Sequence, residues 1–217
     1  MIIAIDGPAG SGKSTIARML AESLGFAYVN SGSLYRALTL LSIQRGLAVD
    51  DAAAIISAAA GATIEYRDGR LHLDGLDIES ELRTASVDAR VAQLSAIPEL
   101  RDIVNGQVKR LAGAADSVVE GRDMTTVVFP GADLKFFLDA SSDARARRRF
   151  EQGTSAATLD DARKNIEMRD AIDRAKSVGS LKIARDAVYL DSSHLTIQEV
   201  YDKVYGKILL LREHHGR

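Results

Sequence analysis

The sequence predicts an α/β fold, a parallel β-sheet covered by helices on both faces, with a ligand site at the carboxyl ends of the strands. Three observations predict it. An apolar, β-branched run from Ile2 to Ile5 breaks at Asp6 into the spacing G-x-x-x-x-G-K-[ST], filled by Gly7, Gly12, Lys13 and Ser14. Further short apolar runs at 26–29, 117–120, 134–138 and 187–190 alternate with longer stretches of helical periodicity. One pair of alternating segments, 62–67 and 71–74, meets through Asp68-Gly69, which is the signature of a tight hairpin and marks an antiparallel insertion in a separate lobe.

Each element has a local cause. The first helix is expected from Gly12 or Lys13 to Leu24, with Ile16, Ala17, Leu20 and Leu24 on one face and Gly25 as its stop. Phe26 to Val29 reads as the second strand and ends at Asn30. Ser31 and Ser33 are N-cap candidates for a helix from about Leu34 to Arg45, stopped by Gly46. Asp50 or Asp51 caps an Ala-rich helix that ends at Gly61. After the hairpin the pattern returns to helix from Ser86 to Ser95 and from Pro98 to about Leu111, with Pro98 near a helix start. Ser117 to Glu120 is a buried-type strand followed at once by Gly121, Arg122 and Asp123, and Leu134 to Leu138 is another, ending at Asp139. Ser141 or Ser142 can cap the helix that carries Arg145, Arg147, Arg148 and Arg149. Residues 151–157 have the polar, small-residue composition of a mobile loop. Thr158 opens a charged helix to about Ala175, Ala187 to Leu190 is the last strand, and Thr196 to about Arg212 the last helix.

The opening loop is a phosphate cradle, comprising Gly7, Pro8, Ala9, Gly10, Ser11, Gly12, Lys13, Ser14 and Thr15. Gly7, Gly10 and Gly12 let the backbone take positive φ and approach an anion with no Cβ in the way, while the following helix presents its positive end. Lys13 is placed to reach β- and γ-phosphates and the Ser14 hydroxyl to sit on Mg²⁺. The implied ligand is a purine nucleoside triphosphate, ATP.

Composition narrows the classes. The 217 residues suffice for one domain with insertions, and 28 basic against 30 acidic side chains leave a net charge of −2, which gives no reason to expect nucleic acid or membrane as partner. The absence of cysteine removes disulfides, thiolate metal sites and cysteine nucleophiles. The four histidines, His72, His194, His214 and His215, lack the spacing of a metal site. No apolar run approaches the ~20 residues of a membrane span and no leader precedes the first strand, so a cytoplasmic protein is expected.

Charge placement says more than its total. Asn30, Ser31, Gly121 to Asp123 and Asp139 all follow strands and are expected on the rim of the phosphate loop, with Arg36 about one helical turn away. Arg169 and Asp173, spaced i, i+4, share a helix face. Arginines gathered opposite such a loop are what phosphoryl transfer requires, although Arg169 with Asp173 taken alone reads as a surface ion pair and the 145–149 arginines as a solvated face.

Several stretches resemble bacterial cytidylate kinases in order along the whole chain: IDGPAGSGKST, NSGSLYRA from Asn30, RTASV from Arg83, IPELR from Ile97, EGRDMTTVVFPGADLKFFLDAS from Glu120, MRDAIDRAKS from Met168 and LDSS from Leu190. The resemblance implies a three-layer P-loop kinase fold with a monophosphate-binding lobe (about 31–100) and a lid (about 150–176). It also implies transfer of the ATP γ-phosphoryl to CMP or dCMP with Mg²⁺; a monomer acting on small-molecule substrates, without nucleic acid or membrane, is expected. It places Ser31, Tyr35, Arg36 and Arg122 on the CMP phosphate, Arg101 and Asp123 on the cytosine edge, Arg169 near the transferring group and Asp173 on the sugar hydroxyls. Lys13, Arg122 and Arg169 become the catalytic cations. Asn30, Ala92, Thr125 and Lys176 stand where the family usually has Asp, Ser, Gly and Arg. Alternatives are a P-loop kinase for AMP, UMP or dephospho-coenzyme A, and a nucleotide-binding switch.

Overall fold

In the computed structural model, which describes residues 1–151 and 158–215, β1 (Ile2–Asp6) is the middle strand of a five-stranded parallel sheet. With β2 (Ala27–Asn30), β6 (Ser117–Gly121), β7 (Leu134–Asp139) and β8 (Val188–Asp191), the strand order is β2-β6-β1-β7-β8. Ile3 stands opposite both Val118 and Leu134, and Asp6 opposite Gly121 and Phe137, so the carboxyl ends of these strands finish together. Burial on both faces explains the unbroken apolar runs: Ile3, Ile5, Val118 and Phe136 share one core, and Ala4, Val119 and Phe137 on the other face are buried as well. The first core is closed by Ile16 and Leu20 of α1 (Lys13–Leu24) and by Val200, Val204 and Ile208 of α8 (Ile197–His215).

Two compact units are evident. One comprises Met1–Tyr28 with Ala115–Arg217, the other Val29–Ala114. The second holds α2 (Ser31–Gln44), α3 (Ala52–Ala60), the antiparallel sheet β3 (Ile64–Arg67), β4 (Arg70–Leu73) and β5 (Leu76–Asp77), then α4 (Ala85–Leu94) and α5 (Pro98–Ala112). The Asp68-Gly69 hairpin forms as expected, with both residues at positive φ (51° and 74°). A third strand, β5, is not signalled by the sequence pattern; it is reached through Asp74-Gly75 in the same two-residue conformation (50° and 83°).

Helix α2 begins three residues earlier than its sequence suggests. The cap is neither Ser31 nor Ser33 but Asn30, whose Oδ1 accepts from Ser33 N at 3.1 Å, so both serines lie inside the first turn. Asp51 caps α3 through Ala54 N, and α1 ends at Gly25 in the left-handed region. In the first unit a single π-helical turn, Met124–Val128, follows β6, and α6 (Ser142–Glu151) and α7 (Leu159–Ala175) complete the element order. Residues 152–157, the core of the expected mobile connection, lie outside the described residues. Among the described residues no helix is long and apolar enough to cross a membrane.

Candidate active site

The phosphate loop takes its shape from its glycines. Gly7, Gly10 and Gly12 have φ of +150°, +78° and +92°. A Cβ on Gly7 would lie 1.9 Å from the Leu138 carbonyl oxygen, so the loop leaves β1 pressed against the backbone of β7. Gly12 is the residue before α1 and has open space around it. Ser11 Oγ is buried with no hydrogen-bond partner among the described residues, a polar atom kept within the loop.

Lys13 is only 5% exposed and donates from Nζ to the Pro8 carbonyl at 2.8 Å, folding back over the loop. Burial first, and then repulsion by Arg122, push its ammonium from 10.5 down to about 7, against the pull of Glu120, Asp6 and Asp173. Ser14 Oγ donates to Glu120 Oε2 at 3.0 Å, and Tyr28 OH to Glu120 Oε1 at 2.5 Å. The next turn beyond β6 carries Arg122, whose Nε donates to Asp173 Oδ2 at 2.7 Å, while Lys176 Nζ takes Asp173 Oδ1 at 2.7 Å. Burial alone would raise Asp173, but the charges and hydrogen bonds of Arg122 and Lys176 prevail and hold it well below the usual carboxylate range. The reading of Asp173 as half of a surface pair is corrected in one respect: Asp173 is buried, and Arg122 and Lys176 are among its partners. Arg169 is half-buried on α7.

Asp123 is buried, and its carbonyl accepts from Val127 N at 2.8 Å and Val128 N at 3.2 Å, which closes the π-helical turn. Asp6, fully buried at the end of β1, accepts from Met124 N at 2.9 Å and from Thr125 N and Oγ1 at 2.7 and 2.6 Å. Burial raises Asp6 to about 6 despite these bonds, and Asp123 adds to the rise. Thr125, where the related pattern has Gly, thus supplies a hydroxyl that ties the turn to β1.

The 145–149 arginines are a solvated face only in part, with Arg147 exposed. Arg145 is buried against Asp170, and Arg148 donates to Ser192 Oγ and O at 3.0 and 2.5 Å. A run of arginines on a polar helix reads as solvated because nothing local reveals acceptors that lie 25 and 44 residues further on.

In the second unit Ser31 and Tyr35 lie buried on α2, and Arg101 of α5 donates to Ser95 O at 3.1 Å with its guanidinium 5.8 Å from the centre of the Tyr35 ring. Arg36 is held by Leu82 O at 2.8 Å and Asp88 Oδ1 at 2.6 Å. Ala92 lies on α4, where its carbonyl accepts from Ser95 Oγ.

Sequence reasoning missed Glu120, Asp6, Arg145 and Asp170. Glu120 carried a signal, a carboxylate ending an apolar strand just before Gly121. Among the described residues no group of three or more His, Cys, Asp or Glu could hold a metal by itself. The Ser14 hydroxyl beside the Glu120 carboxylate is an all-oxygen pair that suits Mg²⁺, which binds through one or two protein oxygens plus phosphates and water.

The cytidylate kinase family model matches residues 3–209. A cytidylate kinase of Caldanaerobacter subterraneus subsp. tengcongensis is 39% identical over 95% of this chain and 93% of its own length. That of Rhodopirellula baltica is 39% identical over 98% and 93%, and that of Nocardia farcinica 41% identical over 94% and 91%. In fold, the chain is similar to a shikimate kinase from Bacteroides thetaiotaomicron, with a TM-score of 0.51 at 10% identity over 98% of each chain.

Proposed function

The chain belongs to the cytidylate kinase family and is a nucleoside monophosphate kinase for CMP, and from that premise we propose how its residues divide the work. The γ-phosphoryl of ATP passes to an oxygen of the CMP or dCMP phosphate, the bond to the β–γ bridging oxygen breaks, and ADP leaves with CDP or dCDP. The acceptor is already an anion, so no general base is needed, and catalysis is orientation plus charge neutralisation. One observation carries this reading. Lys13 is buried and folded back over the loop, and that burial first and the repulsion of Arg122 second depress its ammonium, a cost that an arriving polyphosphate relieves.

In this reading residues Gly7 to Thr15 cradle the ATP phosphates and Lys13 bridges the β- and γ-groups. Ser14 and Glu120 would hold Mg²⁺, which spreads the phosphate charge. Arg122 and Arg169 neutralise the transferring group, and Asp173 takes the sugar hydroxyls. Ser31, Tyr35 and Arg36 bind the CMP phosphate; Arg101 and Asp123 meet the base. Residues 31–100 serve as the monophosphate-binding lobe and about 150–176 as the lid, in a cytoplasmic enzyme that works as a monomer. The first test is ADP release measured with and without CMP, then across a panel of monophosphates. Release that does not depend on CMP sinks the assignment.

Charge linkage gives a pH-dependent expectation. With Lys13 near 7 in the free protein, most molecules carry it neutral at pH 8, and a bound triphosphate favours the ammonium. ATP binding at pH 8 should take up close to one proton, and at pH 6 far less. Titration calorimetry in buffers of different ionisation heat reads this directly. Equal heats across buffers at pH 8 would refute it.

Base choice is a separate expectation. Cytosine offers an exocyclic amine where uracil offers a carbonyl, so the Asp123 carboxylate accepts from CMP and faces an oxygen of UMP. A carboxylate repels the uracil oxygen whereas an amide can donate to it, so Asp123→Asn should lower the CMP-to-UMP ratio of kcat/KM by about tenfold or more. Ala92→Ser, which adds a hydroxyl, should widen it. A ratio unchanged in Asp123→Asn means that this carboxylate does not read the amine.

A further inference from the structure

We propose that Arg145 and Asp170 form a positioning strut that sets the register of α7, and with it Arg169 and Asp173, against the crest of the phosphate loop. Phosphoryl transfer depends on that register. This rests on the kinase reading above and adds two residues to it, neither of which touches substrate.

The strut is defined by where one guanidinium spends its donors. Arg145 Nε donates to Ala140 O at 2.8 Å, Nη1 to Ala9 O at 3.1 Å and to Asp170 Oδ1 at 3.1 Å, and Nη2 to Asp170 Oδ2 at 2.7 Å. Three places in the chain are thus joined by one planar group: the end of β7, the crest of the loop at Ala9 and the middle of α7. The pair is deeply buried, with Arg145 4% and Asp170 6% exposed. The base of the same side chain also bounds the loop, since a Cβ on Gly10 would lie 3.2 Å from Arg145 Cβ and O.

Two other roles fit less well. A phosphate ligand needs free donors, and this fork already faces a carboxylate in bidentate geometry. A purely stabilising role is weakly supported by a buried ion pair, because apolar groups of similar volume commonly stabilise as much or more. What apolar groups cannot supply is direction. Among the described residues the apolar core between α6 and α7 comprises Ala146, Ala162 and Ile166, too small to fix how α7 is rotated and how far it slides. A two-point fork fixes both. Arg169 precedes Asp170 and Asp173 follows one turn later, so a slip of one residue would shift both by about 1.5 Å and turn them about 100° away. Misplacement by about 1 Å can cost about a hundredfold in rate.

The experiment compares Arg145→Lys, Asp170→Asn, the two combined, and the apolar pair Arg145→Met with Asp170→Leu. For each variant, kcat with CMP, the ATP dissociation constant and the thermal midpoint are measured. The expected result is a fall in kcat of about ten- to a hundredfold in each single variant, with ATP affinity within about threefold and the combined variant no worse than the worse single. The apolar pair should regain the thermal midpoint but not kcat. If it regains both, the pair only stabilises and the strut is overturned. If kcat holds while ATP affinity falls about tenfold or more, Arg145 is a phosphate ligand and the strut is again overturned. Wild-type turnover of CMP in the same series separates the two layers. Its absence overturns the kinase reading, whereas its presence with unaltered kcat in the single variants overturns the strut alone.

Discussion

Lys13→Met is expected to leave a folded protein whose kcat falls by about a thousandfold or more. The side chain bears the one cation of the loop itself, and removing a preorganised charge from a developing phosphoryl transition state has effects of that size. Stability should move the other way. The folded state holds Lys13 near 7 where the unfolded chain holds it near 10.5, so the unfolded chain binds more protons between those values. Wild-type stability should therefore rise with pH between the two values, at about 1.4 kcal/mol for each pH unit and by a few kcal/mol in all. The Met variant lacks that rise and should match or exceed wild type at pH 6. Urea unfolding at pH 6 and pH 9 checks the slope, and single-turnover kinetics the rate. Near-normal turnover in the folded variant would remove Lys13 from the chemistry.

Gly7→Ala should damage fold and binding together. At φ +150° any side chain is strained, and the added carbon would meet a β7 carbonyl at 1.9 Å, which is backbone and cannot swing aside. The loop must leave β7 or β7 must yield, at an expected cost of about 3 kcal/mol or more. Gly12→Ala is the control. It too sits at positive φ, +92°, but with nothing within 4 Å, so only the backbone strain of about 1–2 kcal/mol applies. Urea midpoints should fall in the order wild type, Gly12→Ala, Gly7→Ala. Equal midpoints for the two variants would mean that the contact with Leu138 is not what shapes the loop.

The sheet is legible in the sequence because its causes are local: apolar runs, glycine stops and the phosphate-loop spacing all act within a few residues. The hairpin at Asp68-Gly69 is readable for the same reason. β5 escapes because two residues cannot display alternation, although Asp74-Gly75 repeats the turn signal. The start of α2 is misplaced because Asn30 looks like the end of a strand, and it is that and the helix cap as well. Distant pairings leave no trace. The π-helical turn after β6 is tied by Asp6, 118 residues from Met124, and the burial of Arg145 depends on an aspartate on the next helix. At the candidate site the positions of the cations are readable in the sequence and their partners are not. Lys13 and Arg122 follow from spacing and strand ends, whereas Glu120 behind Ser14 and Lys176 on Asp173 require three dimensions.

The strand order β2-β6-β1-β7-β8 also sets a sequence of events during synthesis. β1 is made first, yet its two neighbours begin at Ser117 and Leu134, and the carbonyl against which Gly7 rests belongs to Leu138. Val29–Ala114, by contrast, is one uninterrupted run whose hairpins pair within a few residues and whose helices find partners inside the same run. Contacts close in sequence form sooner than those that must shut a long loop. A ribosome delivering this chain releases the inserted unit ready to fold while the nucleotide loop, already outside, still waits for the strands on either side of it.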